Sequence, residues 1–245
     1  SATAKSPIRI LRQMFILLKR RNILIGLLAV ALTVGLCFAV SATATSAYSV
    51  PKMGKTIIID AGHGGADGGV VGVTTSVKES DINLSIARSL KHFLKTKGYD
   101  VVMTRTTTDG LYGMTTKNKK LKDMQERKKI IEDTKADLVV SVHCNSYPRH
   151  DQVGAQVFYA PGSEDGKKKA ESMQNILKAT LGTERNAMSG DYFILQCSST
   201  PSLLVECGFL TTPSEEKKLV SASYQEKVAY AIFTGIHTIL GEEGV

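Results

Sequence analysis

Short strand-like runs alternate with helix-like segments from about residue 52 onward, and this alternation limits the fold more than any other feature of the sequence. The strand-like runs lie at 55–60, 99–105, 136–145, 155–160, 192–196 and 202–209. The helix-like segments lie at 80–98, 121–135, 164–181 and 223–240, where apolar residues recur at helical spacing. This order predicts an α/β fold with a single domain. We expect a largely parallel or mixed twisted sheet of about six strands, flanked by helices.

An uncharged apolar segment near the start of the chain predicts a separate unit. It runs from Ile23 to Val40, and the small residues "SATATSA" follow it. The basic residues that precede it are Lys5, Arg9, Arg12, Lys19, Arg20 and Arg21. A basic lead, an apolar stretch and Ala-x-Ala-like sites at Ala42 to Ala44 are typical of a secretory signal peptide or of an uncleaved membrane anchor. We assign residues 1–47 to this segment and residues 48–245 to the folded body, and we expect the basic side to stay in the cytoplasm.

The same segment accounts for most of the net charge of +8. The first 50 residues contain six basic and no acidic residues, which leaves 25 basic and 23 acidic residues in the body. The body also has no tryptophan and few other aromatic residues for base stacking. We therefore expect no nucleic-acid partner. We interpret the lysine-rich runs at 117–120 and 167–169 as solvated faces.

Three candidate functional residues lie where predicted strands end. His63 follows the first strand within the run "AGHGGADGG", His143 ends the third strand, and Glu206 lies at the end of "SLLVE". Functional groups in such sheets gather beyond the carboxyl ends of the strands. A carboxylate in a buried apolar strand is costly unless it is paired or binds a metal. Imidazole and carboxylate ligands around one open position describe a catalytic zinc site.

A zinc site of this kind needs a third protein ligand, and the segment "VKESD" at 77–81 offers two candidates. Glu79 precedes the helix and can turn back toward His63, whereas Asp81 is better placed to cap the helix amides. Ser80 is the other candidate for the helix cap. We choose Glu79 as the ligand, and capping or interaction with the helix dipole is the alternative role for an acid at this position.

Four separated motifs in this order resemble the zinc-dependent N-acetylmuramoyl-L-alanine amidases of type 3. They are "IIIDAGHGGADGG", "KESDINLSIARSLKHFLKTKGYDVVMTR", "ADLVVSVHCN" and "PSLLVECGFLTTPSEEKKL", and the resemblance covers about residues 55 to 240. It implies that His63, Glu79 and His143 bind one zinc ion and that Glu206 is the catalytic acid and base. Two departures, alanine for the usual proline before "GHGG" and "ESD" for "EKD", remove no ligand.

The resemblance implies a peptidoglycan hydrolase. The bond cleaved would be the amide between the lactyl group of N-acetylmuramic acid and the L-alanine of the stem peptide. Zinc would lower the pKa of a water from ~16 toward ~7 and polarise the carbonyl, while Glu206 would move the proton of the water to the leaving nitrogen.

The layout of one catalytic body and one export or membrane signal resembles the sporulation and germination subgroup of this family, which acts on spore cortex peptidoglycan. The implied location is extracytoplasmic, in the cell wall or spore envelope, whether the chain is exported or membrane-anchored. The implied partners are peptidoglycan and, through residues 1–47, the membrane. We also expect control from outside the chain, through expression timing, substrate state or an accessory protein.

Two other function classes stay open. Cys144 could be the nucleophile of a cysteine-dependent wall peptidase, but a thiol needs an imidazole base, and the neighbouring His143 should point to the opposite side of the strand. We therefore expect Cys144 to be a packed neighbour. The body could also be a non-catalytic peptidoglycan-binding relative, although the intact Glu206 argues against this.

Four further residues have subsidiary interpretations. We expect Arg105 and Arg127 to form salt bridges inside the fold rather than to contact substrate. Asn145 is a candidate for orienting substrate or a loop. Asp60 is a candidate acceptor for a ligating imidazole.

Overall fold

The computed structural model describes residues 7–47, 52–114 and 117–242, and the chain divides into two units near residue 50. Lys5 and the junction at 48–51, which adjoins the predicted boundary after residue 47, lie outside the described residues.

The N-terminal unit is one long helix, α1 (Pro7–Ala47). Its segment Met14–Phe38 is 25 residues long and has a mean hydropathy of 2.0, so it is long and apolar enough to cross a membrane. The side chains described in this segment are exposed. The side chains of the Ala-x-Ala-like sites at 42–44 lie outside the description. Length and composition fit a signal peptide and a membrane anchor equally well.

The second unit is built on a six-stranded sheet. Its strands are β1 (Thr56–Ala61), β2 (Asp100–Met103), β3 (Leu138–Asn145), β4 (Gln156–Tyr159), β5 (Met188–Ser189) and β6 (Ser202–Phe209). They lie in the order β2-β1-β3-β6-β4-β5, with β4 antiparallel to β6 and the other neighbours parallel. This mixed sheet confirms the predicted α/β fold, and it places β1, β3 and β6 side by side.

Helices cover both faces of the sheet. They are α2 (Glu79–Lys97), α3 (Lys119–Thr134), α4 (Glu164–Leu181), α5 (Phe193–Gln196), α6 (Pro213–Leu219) and α7 (Ala222–Glu242). The alternation of side chains along β1 supplies both cores. Ile57 and Ile59 belong to the large core formed with α2, α4 and α7, whereas Ile58 packs with Ile131 of α3 and Leu195 of α5. Burial on both faces explains why the central strands are continuous apolar runs.

One predicted strand is wrong. Residues 192–196 contain the short helix α5, and the edge strand that pairs with β4 is β5. An apolar run this short does not separate a strand from a buried helical turn by its periodicity. Ile194 and Leu195 are buried as neighbours in α5, which strand alternation would not produce on a half-buried edge.

The start of α2 also differs from the prediction. The helix begins at Glu79, and neither Ser80 nor Asp81 caps it. Instead, the preceding loop satisfies the first amides, since Glu79 N–H donates to Val70 O (2.8 Å) and Ser80 N–H donates to Gly68 O (3.1 Å). The loop and the helix start are therefore held together by backbone hydrogen bonds.

A buried charged network joins the end of β1 to α3. The Asp60 carboxylate accepts hydrogen bonds from Arg127 Nη1 (2.5 Å), Ser141 Oγ (2.6 Å) and Thr104 Oγ1 (2.7 Å). Arg127 Nε also donates to Asp123 Oδ2 at 2.6 Å. Burial by itself raises the pKa of Asp60, but the charge of Arg127 and the hydrogen bonds outweigh burial and lower the pKa to about 2. The carboxylate therefore stays ionised inside the protein.

We predict that Asp60→Asn lowers the free energy of unfolding by about 3 kcal/mol, because it removes a counter-charge of the buried Arg127 guanidinium. The pKa of Asp60 is lower in the folded than in the unfolded state, where it is about 3.9. Its stabilising contribution is therefore complete above the unfolded pKa and is lost as the pH falls toward 2. The difference between the native and Asp60→Asn chains should shrink over that pH range.

Denaturant unfolding of the full chain in detergent, followed by circular dichroism, measures both effects. The matched control is Asp133→Asn, which removes an exposed carboxylate paired with Lys129 on α3 and should leave the stability nearly unchanged. A loss for Asp60→Asn no larger than that of the control would contradict the prediction.

Candidate active site

The three residues predicted at strand ends lie together at one edge of the sheet. His63 lies two residues after β1, His143 lies near the end of β3, and Glu206 lies opposite His143 in the register of β3 and β6. Gly62 N–H donates to Val142 O at 3.1 Å, so the chain that leaves β1 still follows β3. The ring centroids of the two histidines are consequently 4.9 Å apart. The predicted convergence is confirmed.

Glu79, the first residue of α2, reaches both imidazoles. Its Oε1 lies 3.3 Å from His63 Nε2 and 2.9 Å from His143 Nδ1. The candidate ligand atoms of the three residues lie within 4.8 Å of one another, a spacing at which they could hold one metal ion. Asp81, the other acid in this segment, is exposed and is not part of the cluster.

Three neutral donors fix the Glu79 carboxylate. Oε2 accepts from Val70 N–H (2.9 Å), while Oε1 accepts from Cys144 N–H (3.1 Å) and from Asn83 Nδ2 (3.1 Å). Burial raises the pKa of Glu79, but the two imidazoles beside it hold the pKa well below its usual range. Glu79 is therefore an ionised and preoriented group. Asn83 was not predicted from the sequence, although a residue one helical turn after Glu79 lies on the same face of the helix and can donate to its carboxylate.

Two buried arginines fix the backbone around His63. Arg105 donates from Nε to Ala61 O and from Nη2 to Gly62 O, both at 2.9 Å. Arg127 donates from Nη1 to Ala61 O (2.9 Å) and from Nη2 to His63 O (2.7 Å). These bonds hold His63 at a φ of 60°, a left-handed conformation that is uncommon for residues other than glycine. The predicted salt bridges are confirmed for Arg127, which pairs with Asp60 and Asp123, whereas Arg105 bonds only backbone carbonyl groups and forms no salt bridge among the described residues.

Asp67 fixes the imidazole of His63. His63 Nδ1 donates to Asp67 Oδ1 at 3.0 Å, and the same oxygen accepts from Gly69 N–H at 3.1 Å. With the proton on Nδ1, Nε2 is available as a ligand nitrogen. The sequence interpretation that assigned this acceptor role to Asp60 is wrong, because Asp60 is bonded to Arg127 instead. The sequence feature that could have predicted this role is the position of Asp67, an acid only four residues after His63.

Two glycines leave the space that these side chains occupy. A Cβ at Gly62 would lie 2.3 Å from ring atoms of His143. A Cβ at Gly69, whose φ is 68°, would lie 2.4 Å from Glu79 Oε2 and 2.8 Å from His63 Cδ2. Neither separation is sterically allowed, so the glycine-rich run is needed for the packing of the cluster.

Glu206 differs from Glu79 in its surroundings. It is 6% exposed, and its Oε2 has no hydrogen-bond partner among the residues that the structure describes. Burial raises the pKa of Glu206 to about 7, with His143 acting against the shift and Glu79 adding to it. A carboxyl group with a pKa near neutrality can both accept and release a proton.

Cys144 is a packed neighbour of the cluster, as predicted. It is 3% exposed and belongs to the large core, and burial raises the pKa of its thiol well above the usual range. The neighbouring Cys207 is also buried, with a raised thiol pKa, and neither of these two cysteines is in a disulfide. No imidazole hydrogen-bonds to the Cys144 thiol within the described part of the chain. These features argue against a thiol nucleophile.

The cluster opens into a cavity of about 630 Å³. Its lining includes the three candidate ligands, Glu206 and the predicted Asn145. The start of α3 adds Lys119 and Lys120, and the segment around α5 adds Tyr192, Phe193 and Ile194. The volume of the cavity and its lining of charged and apolar side chains are typical of a ligand-binding site.

Comparison with known proteins points to one family. Residues 57–238 match N-acetylmuramoyl-L-alanine amidase. The germination-specific N-acetylmuramoyl-L-alanine amidase of Bacillus subtilis is 37% identical over 203 residues, which cover 80% of this chain and 84% of that protein. The amidase LytC of the same organism is 32% identical over 200 residues, which cover 80% of this chain and 38% of that protein.

Solved structures agree with the sequence comparison. The CwlD amidase of Clostridioides difficile, solved in complex with the GerS lipoprotein, is 37% identical with a TM-score of 0.74, over 76% of this chain and 98% of that chain. The catalytic domain of the amidase CwlV from Bacillus (Paenibacillus) polymyxa is 30% identical with a TM-score of 0.68, over 76% of this chain and 98% of that chain. Residues 57–238, which match the family, include the whole candidate site. Because sequence and fold agree over the body that holds this site, the chain belongs to the family of N-acetylmuramoyl-L-alanine amidases.

Proposed function

We propose that this chain is a zinc-dependent peptidoglycan hydrolase. It cleaves the amide between the lactyl group of N-acetylmuramic acid and the L-alanine that begins the stem peptide. The observation that carries the proposal is the convergence of His63, Glu79 and His143 beside Glu206 in one open cavity. The family match supports the choice of bond.

The donor set fits zinc. Two imidazoles and one carboxylate are zinc ligands of catalytic sites, which keep a further position open for water or substrate. Glu79 is ionised and almost fully buried, and a cation at the cluster would compensate that charge. When bound by His63, Glu79 and His143, zinc would supply a Lewis acid that lowers the pKa of a water and polarises the scissile carbonyl.

Glu206 performs the proton transfers. Its raised pKa and its Oε2, which lacks a partner among the described residues, suit a group that accepts a proton from the attacking water. The same carboxyl group then donates that proton to the leaving nitrogen of L-alanine. Because Glu206 lies in a central strand opposite His143, its position is set by the sheet.

The apolar helix supports a cellular location for the protein, and the relatives support a substrate and a partner. The membrane-compatible segment Met14–Phe38 supports export or anchoring, with the basic residues that precede Ile23 on the cytoplasmic side and the body on the extracytoplasmic side. The germination-specific relative supports spore cortex peptidoglycan as the substrate. The relative solved with a lipoprotein supports an accessory protein as a partner.

The test is release of stem peptides from purified cortex peptidoglycan by the full chain in detergent, followed by mass spectrometry. We expect peptides that begin at L-alanine, and we expect a chelator to abolish their release. Glu206→Gln should reduce the rate by at least about 100-fold, because proton transfer by a positioned group contributes that much. The exposed Glu226→Gln on α7 is the matched control and should retain the native rate.

Other outcomes distinguish the alternatives. Release that survives the chelator and stops with a thiol-blocking reagent would replace this proposal with the cysteine-dependent peptidase. Binding of peptidoglycan without release, in a chain shown to contain zinc, would replace it with the non-catalytic relative.

A second prediction concerns the ligand geometry. We expect Asp67→Asn to weaken zinc affinity by about 10- to 100-fold, because it removes the carboxylate that orients His63 and raises its basicity. Competition with a chromophoric chelator measures the affinity independently of turnover. Asp165→Asn, which changes an exposed aspartate of α4, is the control. Equal zinc affinities of the Asp67→Asn and Asp165→Asn variants would contradict the prediction.

A further inference from the structure

We propose that Lys119 and Lys120 form an anion subsite that selects stem peptides whose second residue carries a free α-carboxylate. The inference rests on the proposed amidase function and concerns the specificity of the same cavity. It assigns a role to side chains that neither the candidate ligands nor Glu206 account for.

Both lysines lie at the start of α3 and line the cavity that contains the candidate metal ligands. The sequence interpretation of the run at 117–120 as a solvated face describes only part of their environment. Lys120 has a side chain that is 78% exposed, whereas Lys119 is partly buried. The Lys120 side chain is therefore open to solvent, and both lysines can meet a ligand that enters the cavity they line.

The two lysines retain donors for a ligand. Lys119 Nζ lies 5.3 Å from the ring centroid of Tyr112, a cation–π contact that uses no hydrogen bond. Lys120 Nζ lies 3.8 Å from Asp67 Oδ2, which is beyond hydrogen-bond distance. Arg127 also lines the cavity, but it is 1% exposed and donates to carboxylates and backbone carbonyls around β1. The lysines are thus the accessible cations of the described lining.

Apart from Glu206, the carboxylates of the cavity lining already bond other groups. Asp60 and Asp123 accept from Arg127, and Asp67 accepts from His63. Glu79 faces the two imidazoles. Lys120 forms one long ion pair, with Asp67 at 3.8 Å, and Lys119 forms no ion pair with a carboxylate among the described residues, so an anion that enters the cavity meets an incompletely neutralised positive charge at the start of α3.

The rest of the lining differs in chemistry. The segment at 192–194 and Leu204 contribute aromatic and aliphatic side chains without charge.

The substrate has a matching asymmetry. An uncharged sugar and its lactyl group lie on the acyl side of the scissile amide. On the amine side, L-alanine is followed by a residue that is joined to the rest of the stem peptide through its side-chain carboxyl. The α-carboxylate of that second residue is therefore free. The peptide arm therefore lies toward Lys119 and Lys120, and the sugar lies toward the apolar side.

The experiment compares two muramoyl dipeptides that differ in one group. Both are N-acetylmuramoyl-L-alanyl-D-glutamic acid derivatives with the γ-carboxyl blocked as a methylamide, and the α-position is either a carboxylate or a carboxamide. Calorimetry on the zinc-loaded full chain carrying Glu206→Gln measures both dissociation constants without turnover. We expect the ligand with the α-carboxylate to bind about tenfold more tightly than the carboxamide, because a charge-assisted hydrogen bond contributes a free energy of that size.

Three further variants in the Glu206→Gln background test the assignment to the lysines. Lys119→Gln with Lys120→Gln should bring the two dissociation constants to within about twofold, whereas Lys119→Arg with Lys120→Arg should keep the preference because it keeps the charge. Lys122→Gln, on the same helix but paired with Glu126 at 2.6 Å and outside the cavity lining, should also keep it.

The outcomes separate this inference from the proposed function. Equal binding of the two ligands by the chain with native lysines, or a preference that survives the double glutamine change, overturns the lysine subsite. A preference that follows the lysine charges upholds the subsite, even if the chain with native Glu206 cleaves neither ligand. In that case only the assigned reaction would be contradicted.

Discussion

The ion pair between Asp60 and Arg127 is the interaction on which the rest of the site depends. Arg127 bonds a carboxylate of β1, a carboxylate of its own helix and the carbonyl groups of Ala61 and His63. A guanidinium this deeply buried is stable only while these partners stay in place. The pair therefore fixes the end of β1, the left-handed turn at His63 and the start of α3 relative to one another. The same constraint places Lys119 and Lys120 at the cavity.

Two glutamates close to the same histidines have opposite electrostatic environments. Glu79 accepts three hydrogen bonds from neutral donors and lies between two imidazoles, so its pKa is lowered. Glu206 is buried in a strand and has an oxygen without a partner among the described residues, so its pKa is raised to about 7. Pairs of titratable groups whose pKa values are driven apart mark different chemical roles. This contrast supports Glu79 as a ligand and Glu206 as the proton-transfer group.

Sequence patterns predicted much of the fold and of the candidate site. Apolar runs that end in His63, His143 and Glu206 were long enough to be recognised as strands, and their parallel arrangement required the ends to meet. The choice of Glu79 over Asp81 followed from its predicted position before the helix; the structure makes Glu79 the first residue of α2 and brings it to the histidines. Residues 192–196 were wrongly predicted because a single short apolar run carries no periodicity that separates a strand from a helical turn.

By itself, the sequence determined the α/β class, the apolar N-terminal segment and the residues that converge at the strand ends, because these follow from local periodicity and chain order. Only the tertiary structure decided that Asp67 rather than Asp60 orients His63, that Arg105 and Arg127 bind backbone carbonyls, and that Glu206 has a raised pKa. It also decided that two lysines of a polar run line the cavity. These features depend on burial and on contacts between residues far apart in the chain, and neither is readable from the order of neighbouring residues.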